Sequence, residues 1–137
     1  MKKILTIVSC ALVLLTISSC TKKYITPNPN FSVFATLQPS DWLLAEDGKS
    51  YYAPIDVADI TSDAASYDGV IVAISYANEV YEQLPEVFDG TSFSYTYNSG
   101  TGGQPGNLSI YAQSPDGTTP FKPTQAIKVK ITLIGTE

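Results

Sequence analysis

The 137-residue chain contains no histidine, and its eight basic residues are all lysines, so arginine is missing as well. Without histidine there is no side chain that ordinarily titrates near neutral pH, no common zinc ligand, and no Ser-His or Cys-His pair for nucleophilic catalysis. Without arginine there is no planar fork for bidentate capture of phosphate or carboxylate. The eight lysines face thirteen Asp and Glu, for a formal net charge of −5. Nucleic acid is therefore excluded as an expected partner, because it is held through many Lys and Arg contacts to phosphate. Cysteine occurs only at Cys10 and Cys20 and tryptophan only at Trp42. A disulfide-stapled framework and a cysteine-ligated metal centre fall away, which leaves packing and backbone hydrogen bonds to hold the fold.

What the N-terminal end does have is an address. Met1-Lys2-Lys3 precedes an apolar run over residues 4–17 that ends in Ser18-Ser19-Cys20, the charged, apolar and small-residue order of a secretory signal. The run is shorter than the about 20 residues of a permanent membrane span, so cleavage is expected. Ile17-Ser18-Ser19-Cys20 resembles the lipobox of bacterial lipoproteins, in which an aliphatic residue and two small ones precede a cysteine that takes a diacylglycerol. The resemblance implies a lipidated, palmitate-bearing Cys20 that anchors the chain to a membrane without spanning it. Thr21, in place of an Asp, favours the outer membrane by the sorting rule of Gram-negative lipoproteins. Lys22 and Lys23 are not an acidic surface-export signal, so the leaflet stays open.

The expected layout is a signal peptide over 1–19, a lipidated tether over 20–30 and a single domain over 31–137. Cys10, Lys2 and Lys3 go with the signal, leaving a more acidic mature chain with no free thiol. The tether carries Pro27 and Pro29 and little apolar content, so it should be extended; at about 3 Å per residue it holds the domain at most about 30 Å from the bilayer.

Beyond it come short runs rich in Val, Ile, Tyr, Phe and Thr, punctuated by Gly, Pro, Asn and Asp. This is the pattern of an all-β protein, and an antiparallel β-sandwich of about seven strands with at most one short helix is expected. The strands predicted are 31–37, 41–46, 49–57, 69–77, 92–98, 107–114 and 126–135. Asp47-Gly48 predicts a tight type I′ hairpin that sets Leu43 against Tyr52 and Leu44 against Tyr51. Pro54 cannot donate to a ladder, so its strand belongs at a sheet edge or ends early. Residues 59–68 combine a capping hydroxyl, an early acid and two alanines, which predicts a helical turn or two. In the last strand Ile127, Val129, Ile131 and Leu133 should face inward and Lys128, Lys130 and Thr132 outward.

The order Trp42, Tyr51-Tyr52, Ile60-Thr61, Gly69-Val70-Ile71-Val72, Leu84-Pro85, the aromatic strand from Phe93 to Tyr97 and the closing strand from Ile127 to Ile134 resembles a group of small uncharacterised lipoproteins from Bacteroidota. These are packing residues, and the resemblance implies a β-sandwich lipoprotein of the cell envelope but no activity.

Chemistry is sparse. The glycines of residues 98–107 have no following lysine or helix to cradle phosphate and are expected to form a flexible hairpin connection. Paired carboxylates are the remaining catalytic option. Asp56, Asp59, Asp63, Asp68, Glu79, Glu82, Glu86 and Asp89 all fall in loop-like or capping contexts, where acids ordinarily serve solubility, caps and turns. Asp56, Asp59 and Asp63 lack the spacing and glycine of a calcium loop, so neither metal nor cofactor is expected. Aromatics are the notable excess, with nine Tyr, five Phe and one Trp. Most, including Trp42, Phe93, Tyr95 and Tyr97, are expected in strands and core. Tyr51, Tyr52, Tyr81 and Tyr111 adjoin turns or outward faces and are the candidate binding residues. The expectation is a non-catalytic, membrane-anchored interaction or structural module whose partner is an envelope protein or a glycan. A glycan-binding accessory protein and a carboxylate hydrolase are the alternatives.

Overall fold

The computed structural model describes residues 30–61, 69–100 and 104–135. Within them lie nine strands: β1 (Phe31–Leu37), β2 (Leu43–Leu44), β3 (Tyr51–Val57), β4 (Gly69–Ser75), β5 (Glu82–Gln83), β6 (Glu86–Phe88), β7 (Thr91–Asn98), β8 (Gly106–Gln113) and β9 (Ile127–Ile134). They form two antiparallel sheets, one ordered β1-β9-β4-β5 and the other β2-β3-β8-β7-β6. The sheets pack face to face as a β-sandwich, as the strand pattern predicts. The two extra strands, β5 and β6, are two and three residues long and lie either side of the cis Leu84–Pro85 peptide. They escape a periodicity search because a strand that short cannot display an alternation. The helical turn predicted over 59–68 lies largely outside the described residues, although Ile60 is fully buried. The one short helix described is a 3-10 turn at Pro39–Asp41, where the backbone N–H of Gln38 donates to the Asp41 carboxylate at 2.7 Å.

The core is the sum of the inward-facing positions. Val70, Val72 and Ile74 of β4 and Ile127, Val129, Ile131 and Leu133 of β9 meet Ala53, Val57, Phe93, Leu108, Ile110 and Ala112 from the other sheet. Each large aliphatic side chain so buried contributes about 1.5–3 kcal/mol. Trp42 closes one side, 2% exposed, edge-on to Phe93 at a ring separation of 6.4 Å. Tyr95 ties the layers together, its hydroxyl donating across the sandwich to the carbonyl of Val70 at 2.8 Å, and burial pushes its phenol pKa up. Tyr97, expected in the core, is exposed instead: β6 pairs only with Thr91, Ser92 and Phe93, so β7 is the sheet edge from Ser94 on and its burial fades from Tyr95 onward.

Turn chemistry refines the predicted register. Leu43 does face Tyr52, and Leu44 faces Tyr51. The loop between them is not the type I′ turn expected, since Gly48 has φ +67 but Asp47 is not in the left-handed region. It is a wider loop in which the Gly48 N–H donates to the Ala45 carbonyl and the Asp47 carboxylate accepts the N–H of Lys49. Because Ala45 still pairs with Ser50, widening the loop by two residues preserves the register. The β8–β9 connection repeats the device: Gly117 donates to the carbonyl of Ser114 and Asp116 accepts the N–H of Thr118. The two-residue turn with both residues at positive φ occurs at Asp89-Gly90, with φ +45 and +73, between the paired Phe88 and Thr91. Pro54 falls beyond the end of β2, where β3 is the sheet edge, as its missing N–H requires. The glycine-rich segment joins β7 to β8 as a hairpin connection closed by Asn98 opposite Asn107.

Candidate functional site

The four tyrosines singled out by sequence do not share a surface. Tyr52 and Tyr111 face each other across β3 and β8 on the outer face of the five-stranded sheet, with ring centroids 6.1 Å apart. Tyr51, one residue on, points to the opposite side, packs against the core, and lies under Lys122 at 5.7 Å. Tyr81, in the connection just before β5, lies against the other sheet, where its ring meets Phe34 edge-on at 6.4 Å and Lys130 at 6.0 Å. Strand alternation is the reason: adjacent residues such as Tyr51 and Tyr52 project to opposite faces, so proximity in sequence separates them in space.

The structure instead gathers aromatics that the sequence pattern left scattered. At the end of the sandwich where β4 finishes and β9 begins, a cleft opens between the sheets with a volume of about 170 Å³. Its floor is the core itself, through Phe93 and Ile127, and its walls include Tyr76, Phe88 and Phe121. Tyr76 stacks on Phe88 at 4.3 Å and 17°, and meets Phe93 edge-on at 5.9 Å. Phe88 and Phe121 are each 42% exposed, large apolar surfaces at the mouth rather than in the core. Asp89, Thr91, Thr124 and Gln125 place hydrogen-bonding groups among the rings. The Asp89-Gly90 turn positions Phe88, the end of β4 positions Tyr76, and the segment entering β9 supplies Phe121. Three distant stretches of chain thus build one wall, and no local motif could announce it. The only signal was that Phe88 and Phe121 sit in turn-rich contexts, where an apolar ring has no strand to serve.

Beside this cleft lies a carboxylate pair. The Tyr76 hydroxyl donates to Glu86 Oε1 at 3.0 Å. Burial, together with a hydrogen bond and the charge of Glu82, pushes the Glu86 carboxyl up to about 7, and the Tyr76 hydroxyl bond works in the opposite direction. Burial and the neighbouring Glu86 also push the Tyr76 phenol well above its ordinary value, so it remains a donor. A carboxylic acid held near neutrality beside a second carboxylate is the type of pairing used in acid catalysis. Here Glu82 is exposed and neither side chain lines the cleft. The pair's structural work is to hold Tyr76 and, two residues along β6, Phe88.

The other acids stand apart. Asp56 receives the Asn107 amide at 3.4 Å, Asp59 is exposed, and Asp63 and Asp68 lie outside the described residues. Cys20 and the signal segment lie outside them too. Among the described residues no helix is long and apolar enough to cross a membrane. No protein-family model, curated protein or solved structure matches the chain, so its functional reading rests on its own residues and geometry.

Proposed function

We propose that this protein is a lipid-anchored, non-catalytic binding module of the cell envelope, and that it takes a sugar ring in the aromatic cleft. The observation that carries the reading is the pair of half-exposed rings, Phe88 and Phe121, set among Asp89, Thr124 and Gln125 at the cleft mouth. A pyranose has an apolar face that stacks on a ring and hydroxyls that need acceptors and donors at its rim, and the cleft offers both. Its volume is below the about 300 Å³ at which drug-sized sites begin, which suits one sugar ring rather than an extended ligand.

The placement of the cleft agrees with an N-terminal lipid. Asn30 accepts the N–H of Gly135 at the finishing end of β9, while the cleft includes Ile127 at its start. The seven steps from Ile127 to Ile134, at about 3.3 Å each, put the two ends about 23 Å apart. A domain tethered through Cys20 therefore presents the cleft away from its attachment point. Stacking contributes only about 0.5–1.5 kcal/mol per ring beyond area burial, so each copy binds weakly. Display of many copies on one membrane offsets this against a repeating ligand through effective concentration.

The test is a glycan and envelope-protein array probed with the full chain displayed on liposomes. The parent should bind neutral glycans, Phe88→Ser with Phe121→Ser should not, and Tyr52→Ser with Tyr111→Ser should. Cys20→Ser should lose fatty-acid labelling and liposome attachment. Retention of array binding by the double phenylalanine variant overturns the cleft, and continued labelling of Cys20→Ser overturns the anchor.

A further inference from the structure

A second depression, larger than the cleft, lies on the outer face of the four-stranded sheet, with a volume of about 510 Å³. It is bounded by Phe34 and Thr36 of β1, Lys128 and Lys130 of β9, and Glu79 and Tyr81 from the β4–β5 connection. We propose that this groove binds an acidic sugar, a pyranose carrying a carboxylate, independently of the end cleft.

The register assembles it. Phe34 lies opposite Lys130 and Thr36 opposite Lys128, so two cations, a ring and a hydroxyl form a compact square on one outward face. Phe34 is 62% exposed, an apolar ring standing on a solvent face with no core to serve. The ammonium of Lys130 rests 6.0 Å from the Tyr81 ring, whose quadrupole holds a cation in place while leaving its N–H donors free. Tyr81 in turn braces Phe34. The described residues contain four lysines, Lys49, Lys122, Lys128 and Lys130, and half of them converge here in a chain of net charge −5.

The fourth side of the groove is held in an unfavourable backbone. Asn78 and Glu79 both have φ +57, in the left-handed region that non-glycine residues avoid, and the Val80 N–H closes their turn onto Ala77 at 3.3 Å. This conformation brings Glu79 to Lys128 at 3.3 Å, the only ion pair among the described residues. Both partners are more than half exposed, so the pair is weak and an incoming carboxylate can displace it. Glu79 is then free to accept a sugar hydroxyl.

These groups discriminate between ligands. A neutral sugar would use the rings and leave Lys128 on Glu79 and Lys130 on Tyr81, so the two cations would add no charge pairing to its binding. A simple inorganic anion would use the lysines and leave Phe34 and Tyr81 idle. A carboxylated pyranose uses both, and as compact point charges the lysines need no guanidinium-type fork to hold it. At about 510 Å³ the groove falls in the usual range of small-molecule sites.

The experiment is isothermal titration of the full chain in detergent with tetragalacturonate and a hyaluronate oligosaccharide as acidic sugars, beside methyl-esterified galacturonate and inorganic phosphate. At least one acidic sugar should bind at micromolar to millimolar concentration, with the ester and phosphate at least about tenfold weaker, a difference of about 1.4 kcal/mol. Lys130→Gln and Phe34→Ser should each weaken binding about tenfold, with an unchanged circular dichroism spectrum, because both side chains are outside the core. Phe121→Ser, in the end cleft, should leave it unchanged, so this site and the cleft succeed or fail separately. Binding of neither acidic sugar, equal binding of ester or phosphate, or full binding by Lys130→Gln overturns the proposal.

Discussion

Glu86 gives the domain a pH-dependent contribution near neutrality. Its carboxyl is raised to about 7 in the fold, from an ordinary value of 4.5. Between those two values the folded chain holds a proton that the unfolded chain has released, so stability falls as pH rises through this window. Below it the full contribution is present, and above it the ionised carboxylate is left partly buried beside Glu82, which the Tyr76 hydroxyl bond offsets only in part. Because Glu86 is partly exposed, screening limits the effect to about 1 kcal/mol or less. Glu86→Gln mimics the protonated acid, keeping an acceptor for Tyr76 and a donor for Glu82. The variant should lose the decline between pH 5 and pH 8 and melt a few degrees above the parent at pH 8. Thermal melts across that range test it, and parallel curves for parent and variant count against the assignment. Asp116 moves the other way, held below its ordinary value by the Ser114 hydroxyl and by the N–H and hydroxyl of Thr118. What it adds is present at neutral pH and lost in acid.

Among the elements, close backbone approach matters most where β8 begins. A Cβ on Gly106 would run into the carbonyl oxygen of Ile60 and lie 2.6 Å from its Cβ, and that carbonyl also accepts the N–H of Gly100 at 3.2 Å. The described ends of the β7–β8 connection, Gly100 and Gly106, therefore both rest against the same buried residue. Gly106→Ala should cost about 1–3 kcal/mol by overpacking and lower the melting temperature by at least about 4 °C. A melt that does not shift would mean that the contact relaxes. Element identity was legible where alternation ran long: β1 matches its predicted bounds, and β9 buries Ile127, Val129, Ile131 and Leu133 as expected. Turn geometry was less so. The Asp-Gly dipeptide favours positive φ, yet only at Asp89-Gly90 do both residues adopt it. At Asp47 and Asp116 the carboxylate instead captures an N–H two residues on and stabilises a wider loop.

For the molecule as a whole, cohesion comes from the interlocked faces of two sheets, with neither disulfide nor histidine in the domain. The melting temperature of the full chain should therefore be indifferent to EDTA and to dithiothreitol. A fall of many degrees with EDTA would point to calcium held by the segment containing Asp56, Asp59 and Asp63. The two depressions also divide the surface between different chemistries. The end cleft is built from rings and neutral hydrogen-bonding groups beside a single acid, Asp89, and no cation, whereas the groove combines rings with two cations, Lys128 and Lys130, and one acid, Glu79.

The sequence by itself determined the all-β class, the inward and outward faces of the long strands, and the hairpin register between β2 and β3. These follow from composition and from a period of two, both readable along the chain. Only the tertiary structure decided which aromatic residues share a surface. It separated Tyr51 from Tyr52 by strand alternation, sent Tyr81 to the opposite sheet, and drew Tyr76, Phe88 and Phe121 to one opening. The reason is physical: a sandwich joins residues through pairings between distant strands and through the order in which the chain crosses between sheets. Those pairings are set by burial of the whole core, which no short window of sequence contains.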